Sequence, residues 1–261
     1  MKKFFLFLLL LPALLVAQPN LSANHIEDVV ITLDDFIGYD QYGSFYYIAN
    51  NVFVKQTADT KIEYSNVEKG RIARADVTNP LMIVLLYADF NTVVLLDNQL
   101  NEITEINFSD TEQQIVVQAV GLAEQNRLWI YDSVTQSIFL FDYARSNFRS
   151  LATPLSSGIG YYETTLTDFK WIDEAGSIYS IDIYGDVQKL GIIARFDKVA
   201  FASETAILFT ENGKIFYCDL LKKDAILIPD VGNSVSKFYY KDQILSIFTK
   251  EGIKKYKLNL P

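Results

Sequence analysis

Four aspartates that recur at one position of a repeated unit are the first residues that could do chemistry. The set follows apolar segments at spacings of 45, 40 and 37 residues and consists of Asp97, Asp142, Asp182 and Asp219. A ring of carboxylates could hold calcium or act as acid and base. A carboxylate that ends a strand also accepts hydrogen bonds from nearby backbone and sets a turn. Because equivalent positions of successive units are displaced around a ring, we interpret the four as turn-forming residues.

Two tryptophans also share a repeat position. Trp129 and Trp171 each begin a Trp-Ile pair in the second strand of their unit. Stacking on a ligand is one possible role for such rings. Large aromatic rings also fill the space between twisted sheets. Their shared register therefore predicts packing between neighbouring units.

The chain offers few groups for nucleophilic or zinc chemistry. It contains one histidine, His25, and one cysteine, Cys218. A His-based triad or zinc cluster cannot be assembled from a single histidine, and a disulfide framework cannot be built from a single cysteine. Cys218 shares one face of a predicted strand with Phe216 and Leu220. We interpret the thiol as a buried apolar group.

Arginine, tyrosine and acidic residues near the unit boundaries are candidates for binding. Connections along the rim of a scaffold tend to carry function, and protein interfaces are enriched in Arg and Tyr. We predict a binding surface on the loops that join successive units. Its candidate residues are Asp34, Asp35, Arg71, Arg74, Asp110, Tyr161, Tyr162, Glu163 and Arg195.

The elements that must position these residues are short strands. An apolar strand, a tight polar turn and a second apolar strand recur six times at about 40-residue spacing, which is typical of an all-β, six-bladed β-propeller. The last blade has only three strands of its own, and we expect residues 25–33 to supply its outer strand, so that the two chain ends close the ring. Seven blades are the alternative, if residues 18–47 hide an extra hairpin. The predicted blades span residues 36–66, 73–108, 115–155, 164–193, 198–229 and 235–260.

The first residues predict export. Lys2 and Lys3 precede an apolar run over residues 4–17, which is the order of a secretory signal peptide. We expect cleavage after Ala17 and a single β-propeller domain over residues 18–261. A run of this length is too short to span a bilayer, and no later stretch is apolar enough to do so. The net charge of −9, without a basic stripe, argues against nucleic acid as a partner.

Two stretches carry a resemblance to a known group of proteins. They are Gly176–Asp182 (GSIYSID) and Gly213–Asp219 (GKIFYCD). This repeat resembles secreted propellers with NHL, YncE-like and SMP-30-like blades and, together with the signal peptide, the envelope propellers of Bacteroidota. The SMP-30-like members hold a catalytic divalent metal in the channel with carboxylate and amide side chains. That ligand set does not match this chain residue by residue, but blade two offers Asp76 and Asn79, and blade four offers Asp168, as oxygen ligands of an alternative Ca²⁺ site.

These patterns lead to one expected function and two alternatives. We expect an exported, non-catalytic module without a cofactor, which binds an envelope protein through its rim loops in the periplasm or at the outer envelope. The first alternative is a calcium-dependent hydrolase or lyase that acts on a lactone or a sugar. The second is glycan binding without catalysis, with Tyr161 and Tyr162 as the aromatic platform.

Overall fold

The computed structural model describes residues 21–31, 33–232, 235, 237–249 and 251–260. The predicted signal peptide, residues 1–17, lies outside the described residues. No helix in the described ranges is long and apolar enough to cross a membrane. Two short 3₁₀ helices, Val67–Lys69 and Ala88–Phe90, lie in loops, and the remaining regular structure of these ranges is strand.

The strands follow one another along the chain with short connections. In order they are β1 (Ser22–Val29), β2 (Asp35–Tyr39), β3 (Phe45–Ala49), β4 (Val52–Gln56), β5 (Lys61–Tyr64), β6 (Arg74–Asn79), β7 (Met82–Tyr87), β8 (Thr92–Leu96), β9 (Glu102–Asn107), β10 (Val117–Ala123), β11 (Arg127–Asp132), β12 (Ser137–Asp142), β13 (Asn147–Ser150), β14 (Ile159–Thr164), β15 (Asp168–Asp173), β16 (Ser177–Asp182), β17 (Val187–Ile192), β18 (Lys198–Phe201), β19 (Ala206–Glu211), β20 (Lys214–Asp219), β21 (Asp224–Leu227), β22 (Lys237–Lys241), β23 (Ile244–Thr249) and β24 (Gly252–Asn259).

These strands form six antiparallel sheets of four strands each, arranged as the blades of a propeller. Blade 1 is β2-β3-β4-β5, blade 2 is β6-β7-β8-β9 and blade 3 is β10-β11-β12-β13. Blade 4 is β14-β15-β16-β17, blade 5 is β18-β19-β20-β21 and blade 6 is β22-β23-β24-β1. The six-bladed prediction is therefore confirmed, and the seven-bladed alternative is wrong.

Closure of the ring by the two ends of the chain is also confirmed. Strand β1 pairs antiparallel with β24, from Ser22 opposite Asn259 to Val29 opposite Ile253. It provides the outer strand that blade 6 lacks. This pairing covers the edge of β24, which would otherwise expose unpaired backbone groups. The closing strand starts three residues before the predicted segment and ends before Val30.

The predicted start of blade 4, Thr164, is wrong. The innermost strand of this blade is β14, which begins at Ile159. The sequence of residues 156–160 predicts a loop, because it consists mostly of Gly and Ser, and Gly within a strand weakens the pattern that indicates a strand. Gly160 nevertheless lies inside β14, where a Cβ would meet only backbone oxygens at 3.6 Å or more.

Apolar side chains from neighbouring blades pack together to form the core. One buried cluster joins Leu86 and Val93 of blade 2 with Leu128 and Phe141 of blade 3. The same arrangement recurs around the ring, so each blade buries both faces. Hairpin turns keep the blades short; at Asn212-Gly213 the φ angles of 52° and 74° fit the left-handed turn that joins β19 to β20.

The innermost strands surround a central channel. These strands are β2, β6, β10, β14, β18 and β22, and all of them run in the same direction along the channel. Each has a partner strand on one side only. The N–H and C=O groups on its free edge therefore need other partners. Side chains that reach these edges form the channel wall.

Candidate functional site

The central channel holds a cavity of about 650 Å³. All six innermost strands contribute to its lining. A volume of this size is typical of ligand sites in proteins. Its polar lining includes Asp35, Arg74, Asp76, Tyr161, Glu163 and Lys198.

Arg74, which lines the cavity, contacts Tyr162 of another blade. The guanidinium of Arg74, from blade 2, lies 4.6 Å from the ring centroid of Tyr162 in blade 4, and its Nη2 donates a hydrogen bond to the Tyr162 carbonyl at 3.2 Å. The Tyr162 hydroxyl accepts a hydrogen bond from Val120 N at 3.2 Å and donates one to Val120 O at 3.3 Å. One aromatic side chain thus joins blades 2, 3 and 4.

Tyr161 and Glu163 make the corresponding connection between blades 4 and 5. The Tyr161 hydroxyl donates to Glu163 Oε1 at 2.6 Å, and Phe201 N donates to the same oxygen at 3.0 Å. Burial raises the pKa of Glu163 above its ordinary value, although these hydrogen bonds and the charge of Arg74 act in the opposite direction. Burial and the Glu163 carboxylate raise the pKa of Tyr161 well above its ordinary value. Tyr161 is therefore a fixed hydrogen-bond donor.

Asp76 makes the third connection between strand edges. Its Oδ2 accepts a hydrogen bond from Leu122 N of blade 3 at 2.7 Å, and its Oδ1 accepts one from Thr78 N at 2.8 Å. Together with Glu163, it provides acceptors for N–H groups on the free edges of the innermost strands. The carboxylates of Asp76 and Glu163 are therefore engaged in hydrogen bonds to the backbone.

Basic residues collect at one end of the channel. Arg74, Lys198 and Lys237 are each the first residue of an innermost strand, in β6, β18 and β22. Asp35, the first residue of β2, is the carboxylate at this end, and it lies 3.6 Å from Lys237 Nζ. We call this end the basic entrance, defined by these four residues. Among these four residues the three cations outnumber the one carboxylate, although Asp34 and Asp197 directly precede two of the four and the net charge of the chain is −9.

The structure brings part of the predicted binding set together, but in the channel and not on rim loops. Tyr161, Tyr162 and Glu163 lie on β14, so their predicted position on a loop is wrong. Tyr161, Glu163, Arg74 and Asp35 line the cavity, whereas Tyr162 lies outside its lining and packs against Arg74. Neighbouring blades bring these side chains together because the innermost strands converge on one axis.

The remaining binding candidates lie outside the cavity lining. They are exposed on loops that join blades or, for Asp34, at the start of β2: Asp34, Arg71, Asp110 and Arg195. The Asp34 carboxylate accepts a hydrogen bond from Asn50 N at 2.6 Å. These four side chains are therefore at the rim, where the sequence analysis placed them.

The alternative calcium ligands do not share one position. Asp76 lines the cavity, whereas Asn79 and Asp168 lie outside its lining. Asn79 Oδ1 accepts a hydrogen bond from Leu81 N at 3.0 Å, and Asp168 Oδ2 accepts one from the Thr167 hydroxyl at 2.6 Å. Within the described residues, His, Cys, Asp and Glu side chains form no group of three or more that could hold a metal ion.

The four repeated aspartates lie in the turns between the third strand and the outer strand. Each accepts hydrogen bonds from backbone N–H groups two to four residues further on. Hydrogen bonds from the Asn101 side-chain amide and from the backbone N–H groups of Asp186 and Lys222 lower the pKa of three of these carboxyls. The three are Asp97, Asp182 and Asp219, and the fourth member of the repeat is Asp142.

The two tryptophans, the cysteine and the histidine also lie away from the cavity. Trp129 and Trp171 belong to one buried cluster between blades 3 and 4, and Trp129 Nε1 donates to the Thr165 carbonyl at 2.9 Å. Cys218 is half-buried against a core cluster, and burial raises the pKa of its thiol. His25 lies on β1 with half of its side chain exposed and contacts Asp28 at 2.8 Å.

Two of the three cations of the basic entrance, Lys198 and Lys237, and the buried Asp132 were not among the residues predicted from the sequence. A usable signal was present for the cations, because Lys198 and Lys237 occupy the same blade position as Arg74. Asp132, at the end of β11, is 1% exposed and accepts hydrogen bonds from Val116 N and Thr135 N. Its position in the second strand falls outside the repeat that drew attention to the other aspartates.

Comparisons with known proteins support the fold. Neither a protein-family model nor a curated protein sequence matches the chain. Among solved structures, a streptogramin B lyase has a TM-score of 0.57 at 13% identity, over 92% of this chain and 98% of that one. A catalytically inactive histidine-to-alanine variant of virginiamycin B lyase from Staphylococcus aureus, with quinupristin, has a TM-score of 0.57 at 13% identity, over 91% and 88%.

An extracellular domain of a one-component system from B. thetaiotaomicron is also similar. Its TM-score is 0.53 at 10% identity, over 91% of this chain and 43% of that chain. At these identities the likeness establishes the architecture and not an activity. The chain is a six-bladed β-propeller, similar in fold to lyases and to an extracellular domain.

Proposed function

We propose that the protein is an exported, non-catalytic interaction module of the cell envelope, and that it binds a partner protein at the basic entrance of its channel. The observation that carries this proposal is the placement of Arg74, Lys198 and Lys237 at the same end of one cavity. A positive opening in an acidic protein attracts and orients an acidic partner. The closed ring is rigid, so little conformational entropy is lost when a partner binds there.

The hydrogen bonding of Asp76, whose two oxygens are both bound to backbone N–H groups, supports a non-catalytic role. Asp76 and Glu163 each accept hydrogen bonds from backbone N–H groups of neighbouring blades. A general base needs an oxygen that is available to the substrate proton. The virginiamycin B lyase is inactive when one of its histidines is alanine, whereas the one histidine of this chain, His25, lies on the outer strand of blade 6.

The proposed location rests on the first residues of the chain and on one structural neighbour. Residues 1–17 have the charge and apolar order of a signal peptide, and an extracellular domain shares the fold. We propose the periplasm or the outer envelope as the site of action. We do not propose the two alternatives, because the oxygens of Asp76 are engaged and the Tyr162 ring packs against Arg74 and Phe169 inside the protein.

The test is a comparison of two tryptophan variants in the native host. Ala73→Trp adds a large ring to an exposed, cavity-lining position next to Arg74. Arg195→Trp places the same ring on an exposed loop outside the cavity lining. Cells that express tagged wild type or either variant are crosslinked, and the co-purifying envelope proteins are quantified.

We expect Ala73→Trp to lose the partner and Arg195→Trp to retain it. Circular dichroism of both purified variants shows that the fold is intact. Retention of the partner by Ala73→Trp together with its loss in Arg195→Trp would show that the binding surface is at the rim and not at the channel. Recovery of the tagged protein from the cytoplasm alone would refute the export part of the proposal.

A further inference from the structure

We propose that Arg74, which lines the channel and is oriented by the Tyr162 ring behind it, forms an oxyanion site at which the partner inserts a carboxylate or a phosphate group. The inference rests on the proposed function and names the chemical group that the channel recognises. Its basis is the Arg74 guanidinium, which has more N–H donors than it has hydrogen bonds within the described residues.

The guanidinium of Arg74 has five N–H donors. Its one hydrogen bond within the described residues is the bond from Nη2 to the Tyr162 carbonyl. In the same part of the chain, no Asp or Glu oxygen lies within 4.0 Å of its nitrogens. Arg74 lines the cavity, so its remaining donors are available to a molecule in the channel.

The surroundings of Arg74 make an anion the fitting partner for these donors. Burial opposes the charge of the guanidinium, but Tyr162, Tyr161, Glu163 and Asp76 keep its pKa above the ordinary value. The oxygens of Asp76 are bound to strand N–H groups, and Glu163 Oε1 is bound to Phe201 N and Tyr161. A charge that is partly removed from water and lacks a direct counter-ion is costly. A bound oxyanion would offset that cost.

The geometry of the pair also favours an oxyanion. The contact with the Tyr162 ring, at 4.6 Å, orients the planar guanidinium fork. Such a fork matches the two oxygens of a carboxylate or of a phosphate. Lys198 and Lys237 lie at the same end of the channel and add positive charge along the approach. Phe201 and Tyr239 supply aromatic wall further along, so the group that carries the anion can be partly apolar.

The test uses three small probes with the same phenyl ring and different head groups. Benzoate carries a carboxylate, phenyl phosphate carries a phosphate and benzamide carries no charge. Each is added to the purified protein, residues 18–261, at about 10 mM, roughly tenfold above the millimolar Kd expected for ligands of this size. Ionic strength is held constant with chloride, and the melting temperature is measured.

We expect at least one of the two anions to raise the melting temperature by about 2–5 °C and benzamide to leave it unchanged. The head group with the larger shift tells whether the site prefers a carboxylate or a phosphate. Arg74→Gln should weaken binding of that probe about tenfold or more, and Arg74→Lys should weaken it by less. Arg195→Gln, at an exposed loop position, should bind as the wild type does.

Three results would overturn the oxyanion site: no shift with either anion, an equal shift with benzamide, or an unchanged shift in Arg74→Gln. The comparison of anionic probes with benzamide uses the wild type, so it stands even if a variant fails to fold. The outcome is separable from the proposed function. Loss of the partner in Ala73→Trp without any probe binding would refute only the oxyanion site. Probe binding with full partner capture by Ala73→Trp would refute only the proposed partner site.

Discussion

At the scale of single residues, the channel wall performs two tasks with the same side chains. Asp76, Tyr162 and Glu163 satisfy backbone groups on the free edges of the innermost strands. They also keep Arg74 enclosed beside a cavity of about 650 Å³. Each of these polar contacts joins two blades. Substitution of any one of these residues should therefore change the stability of the ring as well as binding.

The hydroxyl of Tyr162 is the most direct test of this coupling. Tyr162→Phe keeps the stacking on Phe169 and removes the partner of the Val120 N–H group. An N–H group left without a partner inside a protein costs about 1–3 kcal/mol. We expect the free energy of unfolding in urea to fall by that amount. Tyr184→Phe, at a tyrosine that is 79% exposed, is the matched control and should change it little. Equal effects of the two substitutions would contradict this role.

Glu163 should give the stability of the protein a pH dependence of known sign. Burial raises its pKa above the ordinary 4.5 in the folded state, so the folded protein holds this proton more tightly than the unfolded chain does. The stability that it contributes is fully present below pH 4.5 and is lost as the pH rises through the folded pKa. Glu163→Gln removes this dependence and keeps an oxygen that can accept from Tyr161 and Phe201.

The measurement is the urea midpoint of wild type and Glu163→Gln at about pH 4 and about pH 8. We expect the variant to gain stability relative to the wild type at the higher pH. Subtracting the two proteins removes the contributions of the other carboxyls. Glu112→Gln, on an exposed loop, is the control and should follow the wild type. A difference between wild type and Glu163→Gln that is the same at both pH values would show that Glu163 does not titrate in this range.

At the scale of strands and turns, the sequence was sufficient where the signal was local. Apolar hairpins such as β19–β20 alternate around an Asn-Gly turn, and their blades are close to the predicted bounds. Strand β14 was missed except for its last residue, Thr164, because it is a strand through its pairing with β15, and the sequence of a glycine-rich stretch does not indicate that pairing. The repeated aspartates lie in turns near the surface. The buried Asp132 is not part of that repeat, so the repeat did not identify it.

Two aspartates of blade 3 should differ in their contribution to stability. Asp132 accepts hydrogen bonds from three backbone N–H groups and from the Thr135 hydroxyl, and it is 1% exposed. Asp142 accepts from two backbone N–H groups in a turn near the surface. We expect Asp132→Ala to lower the free energy of unfolding by roughly 2–4 kcal/mol and Asp142→Ala by about 1 kcal/mol or less. Chemical denaturation of both variants checks the order, and the reverse order would contradict it.

At the scale of the whole molecule, the ring depends on a pairing between residues more than two hundred positions apart. Strand β1 covers the edge of β24 from Ser22 to Val29. A protein that begins at Val30 would leave this edge open, so we expect aggregation and a less cooperative thermal transition than for residues 18–261. Size-exclusion chromatography and calorimetry measure both properties.

The control for this deletion is restoration of the missing strand. A synthetic peptide of residues 21–30 should pair with the open edge and recover the monomer and part of the melting temperature. A protein without β1 that stays monomeric and melts as the full domain does would show that closure adds nothing to stability.

The candidate site belongs to this largest scale, and this explains why the sequence revealed it only in part. Arg74, Tyr162 and Glu163 were all candidates, but their convergence comes from contacts between blades 2 and 4 and between blades 4 and 5. Local patterns carry no information about which blades meet in a channel. The shared blade position of Arg74, Lys198 and Lys237 was visible in the sequence, but only the direction of the strands turns it into a basic entrance.

The most direct test of the central claim is site-specific photo-crosslinking in the native host. A benzophenone amino acid replaces either Ala73, which lines the cavity beside Arg74, or Val134, which is 72% exposed at the rim of the same face. We expect an envelope protein to be captured from position 73 and not from position 134. An excess of the preferred anionic probe should compete with the partner for the channel and reduce this capture. Capture from position 134 with none from position 73 would contradict the account and place the partner on the rim.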